Sequence, residues 1–121
     1  MQKLIFIVDD TDANLTVAAA ALEEEFRVLT MPSAQKMFAL LAKKRPDLIV
    51  LDVEMPEMTG FEAFQKLKED PSICDIPVIF LTGYCDENTK SVAEKLGALD
   101  ILTKPIVAEN LMAGVKKYIS V

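Results

Sequence analysis

Leu48-Ile49-Val50-Leu51-Asp52 is a run of four apolar residues that stops on an acid. An unbroken apolar run of this length suits a strand buried on both faces, as in a parallel sheet, whereas a half-covered strand would alternate apolar and polar residues. Two similar runs flank it, Leu4-Ile5-Phe6-Ile7-Val8 before and Val78-Ile79-Phe80-Leu81 after, and a weaker one follows at Leu99-Asp100-Ile101-Leu102. Phe26-Arg27-Val28-Leu29 is half polar and fits a strand near a sheet edge. Between the runs, apolar residues recur at helical spacing, for example Ala34, Met37, Phe38 and Leu41, or Leu111, Met112, Val115, Tyr118 and Ile119. A further helix is expected over Ala13 to Glu25. Helix starts are marked by Ser33 after Pro32, by the capping-box spacing of Thr59 and Glu62, and by the acids Asp86 and Glu87. Strand then helix, five times, predicts an α/β fold with a parallel sheet covered by helices on both faces. Met37, Met112 and the phenylalanines belong to its core.

At 121 residues the chain is expected to form one domain, 1–121. It contains no histidine, which removes imidazole bases, imidazole metal ligands and His-activated nucleophiles. A net charge of −6 has the wrong sign for direct contact with nucleic acid or an anionic membrane. The apolar run after Met1-Gln2-Lys3 is too short for a signal peptide, so a cytoplasmic location is expected. Cys74 and Cys85 lack CxxC spacing and read as free thiols.

The chemistry gathers at the carboxyl ends of the candidate strands: Asp9 and Asp10 at the first, Asp52 at the third, Thr82 at the fourth and Lys104 at the fifth. Taken singly, each has an ordinary reading: Asp9-Asp10 as a turn or helix cap, Lys104 as a surface charge. Together they match the place where open α/β sheets put their ligand sites. If the first and third strands are neighbours, three carboxylates converge and repel one another unless one protonates or a cation joins them. With no histidine or paired cysteine, Mg²⁺ or Mn²⁺ suits such oxygen ligands better than zinc.

These positions resemble the receiver domains of two-component response regulators, chemotaxis receivers among them, over essentially the whole chain. The motifs are Phe6-Ile-Val-Asp-Asp10, the stretch from Pro46 to Gly60 around Asp52, Pro77-Val-Ile-Phe-Leu-Thr-Gly83, and Gly97-Ala-Leu-Asp-Ile-Leu-Thr-Lys-Pro105. The resemblance implies a flavodoxin-like (βα)5 sandwich with strand order 2-1-3-4-5. It implies a signalling domain, not a turnover enzyme, in which Asp52 takes a phosphoryl group from a partner histidine kinase or phosphotransfer protein. Asp9, Asp10, Asp52 and the backbone carbonyl of Glu54 would hold Mg²⁺. Thr82 would bind a phosphoryl oxygen, Lys104 would pair with the Asp52 carboxylate, and the Lys104-Pro105 peptide would be cis. Glu54 and Tyr84 would govern the lifetime of the phosphorylated state, Tyr84 by covering the phosphoryl group. The output surface, for an attached domain or a second copy, would be the fourth helix, fifth strand and fifth helix, roughly 88–119. Ile101 stands where many receivers carry a rotating Tyr or Phe, so the switch there would be a packing change; Gly83 and Ile106 also depart from the commonest residues.

Three other functions compete. A metal-dependent phosphatase with an aspartyl nucleophile would need Asp-x-Asp-x-Thr, and Pro56 stands where its hydroxyl should be. A phosphate-independent pseudo-receiver would not need the full acid, hydroxyl and lysine set. A flavin-binding flavodoxin is disfavoured by the acids around Thr11.

Overall fold

The structure is a computed structural model that describes residues 2–84 and 86–120; Cys85, read above as a free thiol, lies outside the described residues. Cys74 is a free, partly buried thiol. The elements alternate as β1 (Leu4–Val8), α1 (Asp12–Leu22), β2 (Arg27–Met31), α2 (Ala34–Leu41), β3 (Leu48–Asp52), α3 (Gly60–Glu69), β4 (Val78–Thr82), α4 (Glu87–Leu96), β5 (Asp100–Thr103) and α5 (Ala108–Lys116). All strand pairs are parallel, in the order β2-β1-β3-β4-β5, the flavodoxin-like arrangement the resemblance implied. Among the described residues no helix is long and apolar enough to cross a membrane.

The apolar runs are continuous because every residue of β1, β3 and β4 is buried. Side chains alternate between two cores. One gathers Phe6, Met37, Ile49, Leu51, Phe64 and Phe80; the other gathers Ile5, Ile7, Leu22, Val50, Ile79 and Val115. Phe80 stands edge-on to Phe61 and Phe64, with ring centroids 4.8 and 5.4 Å away. Burying each such ring or aliphatic side chain contributes roughly 1.5–3 kcal/mol, which makes the three central strands the rigid part of the molecule.

The half-polar strand lies at one edge, as its composition required, but several boundaries differ from expectation. α1 stops at Leu22, short of Glu25: Glu23, Glu24 and Glu25 would put three negative charges on the helix end that already carries negative partial charge. Phe26 therefore precedes β2 and is buried against the second core, and the ladder begins at the pair Leu4 and Arg27. At the other edge β5 starts at Asp100, leaving Leu99 exposed. α5 ends at Lys116, yet the apolar pattern continues because Tyr118 still packs. Its hydroxyl lies 3.0 Å from the Leu99 carbonyl oxygen and 3.1 Å from Asp100 Oδ2.

The predicted capping box is present, with the Glu62 N–H donating to Thr59 and the Thr59 N–H to Glu62. Ser33 caps α2 and Asp86 caps α4. At the amino edge of the sheet, Arg45 donates to the Ser72 carbonyl at 2.7 Å and to Asp75 at 2.6 Å. That brace joins the turn before β3 to the turn before β4.

Gly97 ends α4 in the left-handed region, at φ 92°. A Cβ there would meet nothing within 4 Å, so the backbone conformation alone resists substitution. Gly97→Ala should lower stability by about 1 kcal/mol, and Gly97→Asn by less, because Asn tolerates this region. Urea midpoints at constant slope measure the difference; equal midpoints for wild type and Gly97→Ala would contradict the assignment.

Candidate functional site at the carboxyl edge of the sheet

Val8 and Leu51 are register partners, so the residues that follow them emerge side by side. The sheet's hydrogen bonding continues past the strands: Asp9 N–H donates to the Met31 carbonyl at 3.1 Å, Val53 to Leu81 at 2.8 Å and Lys104 to Thr82 at 2.8 Å. Strand-like backbone thus carries the functional side chains. Asp9, Asp52 and Thr82 are buried with no exposure, while Asp10 is exposed.

Asp9, Asp10 and Asp52 each bring a carboxylate oxygen within 4.8 Å of the others. Lys104 enters from beyond β5, before a cis peptide to Pro105. Its Nζ lies 2.8 Å from Asp52 Oδ1 and 3.0 Å from Asp9 Oδ2. Burial pushes the Asp52 carboxyl up to about 7; the Lys104 hydrogen bond opposes this, and the charges of Asp9 and Glu54 reinforce it. Burial also works against the charge of Lys104, but its bonds to Asp52 and Asp9 outweigh this and hold the amine above its ordinary range. The two directions describe one crowded site: the ammonium stays charged, and a negative charge on Asp52 is what the site accommodates least.

Asp52 Oδ2 is buried without a hydrogen-bond partner, and Asp9 Oδ2 has only the ion contact with Lys104. Leaving such atoms unpartnered costs on the order of 1–3 kcal/mol each, more for charged groups. A hard divalent cation would satisfy oxygens of this kind, and the donor set, all carboxylate, fits Mg²⁺ or Mn²⁺. A groove of about 560 Å³ along α1, lined by Asp12, Leu15 and Glu23 among others, includes none of these residues.

The segment after Asp52 folds back on the strand end. Met58 N–H donates to the Pro56 carbonyl at 2.7 Å around Glu57, whose φ is 69°, a strained tight turn, and Gly60 N–H donates to Val53 at 2.9 Å. A Cβ on Gly60 would collide with the Asp52 carbonyl oxygen, so glycine alone permits this approach. Glu54 donates its N–H to Asp52 Oδ1 at 3.3 Å, and its carboxylate reaches across to β4. There it accepts the Thr82 hydroxyl at 2.5 Å and the Gly83 N–H at 2.8 Å. Thr82 in turn accepts the Tyr84 N–H at 3.0 Å.

Asp9, Asp10, Asp52, Thr82, Lys104 and Glu54 are therefore brought together. Tyr84 stands at their margin and is 71% exposed. Ile101 lies further back, in register with Phe80 and packed against the first core. Reading the sequence missed Gly60, whose one local signal is a poor helix former directly after a cap. It also missed Asn14, whose amide reaches Asp9 Oδ1 at 3.4 Å, and the contact from Glu54 to Thr82, which spans 28 positions and leaves no local trace.

Comparison with known proteins gives a consistent picture. A family profile for the response regulator receiver domain matches residues 5–116. Response regulator PleD of Caulobacter vibrioides is 38% identical over 117 residues, which cover 96% of this chain and 26% of PleD. The chain thus spans about a quarter of the length of that relative. Among solved structures, the chemotaxis response regulator CheY4 of Vibrio cholerae superposes with a TM-score of 0.91 at 26% identity, covering 98% of this chain and 100% of CheY4. The BeF3-activated DrrB receiver domain, from Thermotoga maritima, does so with a TM-score of 0.85 at 31% identity and 97% of each chain.

The raised pKa of Asp52 has a consequence for stability. Between its ordinary value of 3.8 and about 7 the folded protein binds a proton that the unfolded chain releases, so stability falls as pH rises through that window. The slope contributed by one proton is at most about 1.4 kcal/mol per pH unit. In metal-free buffer, wild type should lose stability relative to Asp52→Asn between these pH values, as read from denaturant midpoints. Parallel curves for the two proteins would show that Asp52 does not titrate there.

Proposed function

The chain belongs to the response regulator receiver family, and on that premise we propose that it accepts a phosphoryl group on Asp52 and uses it to switch an output surface. The donor is a phosphohistidine on a sensor histidine kinase or a phosphotransfer protein, since this chain has no histidine of its own. An Asp52 carboxylate oxygen attacks phosphorus, the phosphorus–nitrogen bond breaks, and its electron pair returns to the donor imidazole. The observation that carries this reading is the buried, unpartnered Asp52 Oδ2 at the centre of the acids, the hydroxyl and the ammonium.

Phosphoryl transfer depends mainly on positioning and charge neutralisation. Lys104, already 2.8 Å from Asp52, neutralises the acceptor and then the transferred group, and Thr82 donates its hydroxyl to a phosphoryl oxygen. Asp9, Asp10, Asp52 and the Glu54 carbonyl would hold Mg²⁺, or Mn²⁺, which supplies the positive charge that the acids and a phosphoryl group require. Pro105 fixes the chain that follows Lys104. The output surface is the face of α4, β5 and α5, where Ile101 responds by repacking. It would dock an attached output domain or a second copy of the chain, and the acidic surface makes direct contact with nucleic acid or membrane unfavourable. A cytoplasmic location suits a kinase partner.

Two experiments test the reading. Acetyl phosphate with Mg²⁺ should add one phosphoryl group to wild type and none to Asp52→Asn; equal modification by mass spectrometry would refute the assignment. Tyr84, exposed here, would shield the group only after phosphorylation. Tyr84→Ala should then hasten loss of phosphate several-fold, about 1 kcal/mol in barrier, without slowing its gain. An unchanged decay rate would leave Tyr84 a surface residue.

A further inference from the structure

We infer that the Glu54 side chain is a built-in stand-in for the phosphoryl group, occupying in the resting protein the Thr82 hydroxyl assigned above to a phosphoryl oxygen together with the Gly83 N–H beside it. Phosphorylation then proceeds by exchange of one anion for another on Thr82 and Gly83. This inference rests on the phosphoacceptor reading and adds a residue to it.

Hydrogen-bond inventory carries the argument. A threonine hydroxyl has one proton to donate, and of the two acceptors within reach of Thr82 the Glu54 carboxylate at 2.5 Å is much nearer than the Tyr84 carbonyl at 3.4 Å, so the proton goes to Glu54. Its oxygen also accepts the Tyr84 N–H at 3.0 Å, which restricts the directions left for the hydroxyl proton. Gly83 likewise has one N–H, committed to the other Glu54 oxygen at 2.8 Å. Two convergent donors, an O–H and a backbone N–H, form a small anion clamp, and the clamp is closed on the chain's own carboxylate. Thr82 cannot serve Glu54 and a phosphoryl oxygen together, so the two occupants exclude each other.

The tie also couples two loops. Glu54 sits two residues beyond Asp52, on the segment folded back by Gly60, whereas Gly83 and Tyr84 lead into Asp86, the cap of α4. Among the described residues beyond its chain neighbours, a Cβ on Gly83 would come near only Glu54 Oε1, at 3.8 Å. Displacing Glu54 therefore removes a side-chain tie between the segment after Asp52 and the residues that lead toward α4. The resting arrangement lowers affinity for a phosphoryl group by the fraction of molecules in which the clamp is closed.

A simpler effect must be separated from this one: Glu54 could weaken anion binding through its charge alone. Beryllofluoride, titrated at saturating Mg²⁺ and followed by fluoride NMR, supplies the probe. Removing Glu54 in the Glu54→Ala variant should tighten its binding about tenfold, the scale of a charge-assisted hydrogen bond. The same change made in Thr82→Val should gain far less, because the hydroxyl under competition is gone, whereas in Thr82→Ser it should gain as much as in wild type. In resting, Mg²⁺-free protein the Gly83 amide proton should move upfield in Glu54→Ala, and the same spectrum confirms that each variant is folded. Equal gains with and without the hydroxyl would assign the effect to charge and overturn the inference, as would no gain or an unmoved Gly83 resonance. Failure of wild type itself to take up beryllofluoride would instead overturn the phosphoacceptor reading, and the exchange with it.

Discussion

Asp9 and Asp52 are wholly buried carboxylates that share a single ammonium, that of Lys104, with Asp10 a short distance away in solvent. Burying like charges together is among the least favourable arrangements a protein can adopt, and breaking such a site by removing its one counter-charge is costlier still. The parallel sheet makes it possible because neighbouring strands that run the same way must all finish at the same edge. The crowding is then a property of the scaffold, held in place by the burial of three strands. A site in this condition responds to any added charge: a cation relieves it, and a transferred phosphoryl group rebalances it.

The scaffold holds these groups by extending its own bonding beyond the strands. Asp9, Val53 and Lys104 each donate a backbone N–H to the end of the adjacent strand, so the side chains on or beside them inherit the sheet's rigidity. The return of residues 53–60 adds a second constraint. Gly60 presses directly against the Asp52 carbonyl, and the capping box at Thr59 starts α3 at once. The rigid surroundings of Asp52 thus lie one side-chain contact, that of Glu54, away from Gly83.

What the sequence discloses and what it conceals divide along physical lines. Asp52, Thr82 and the Asp9-Asp10 pair stand out because a polar residue ending a fully apolar run has no reason of packing to be there. Helix starts at Ser33, Thr59 and Asp86 are equally plain, since capping is a local interaction. Strand order did not follow from the spacing of the runs and came from resemblance to a known family. Boundaries drifted where tertiary contacts overrode local pattern, as at Phe26, which plugs the second core before its strand begins, and at Tyr118, which packs after its helix has ended. The contact from Glu54 to Thr82 joins residues 28 apart, and nothing in either neighbourhood announces it.

The brace of Arg45 on Ser72 and Asp75 lies at the opposite edge of the sheet from every group proposed to do chemistry. Five residues of strand separate the two edges, about 16 Å. The molecule is accordingly bipolar: one pole is committed to charge and metal, while the other is held by contacts that any polar turn can supply. Lys43 and Lys44, exposed beside that brace, are amines to which a dye or tether can be joined. A probe placed there would be carried rigidly by the sheet yet remain a full strand length from the acids, so it would report the orientation of the whole body without competing for the ligands of the reactive edge.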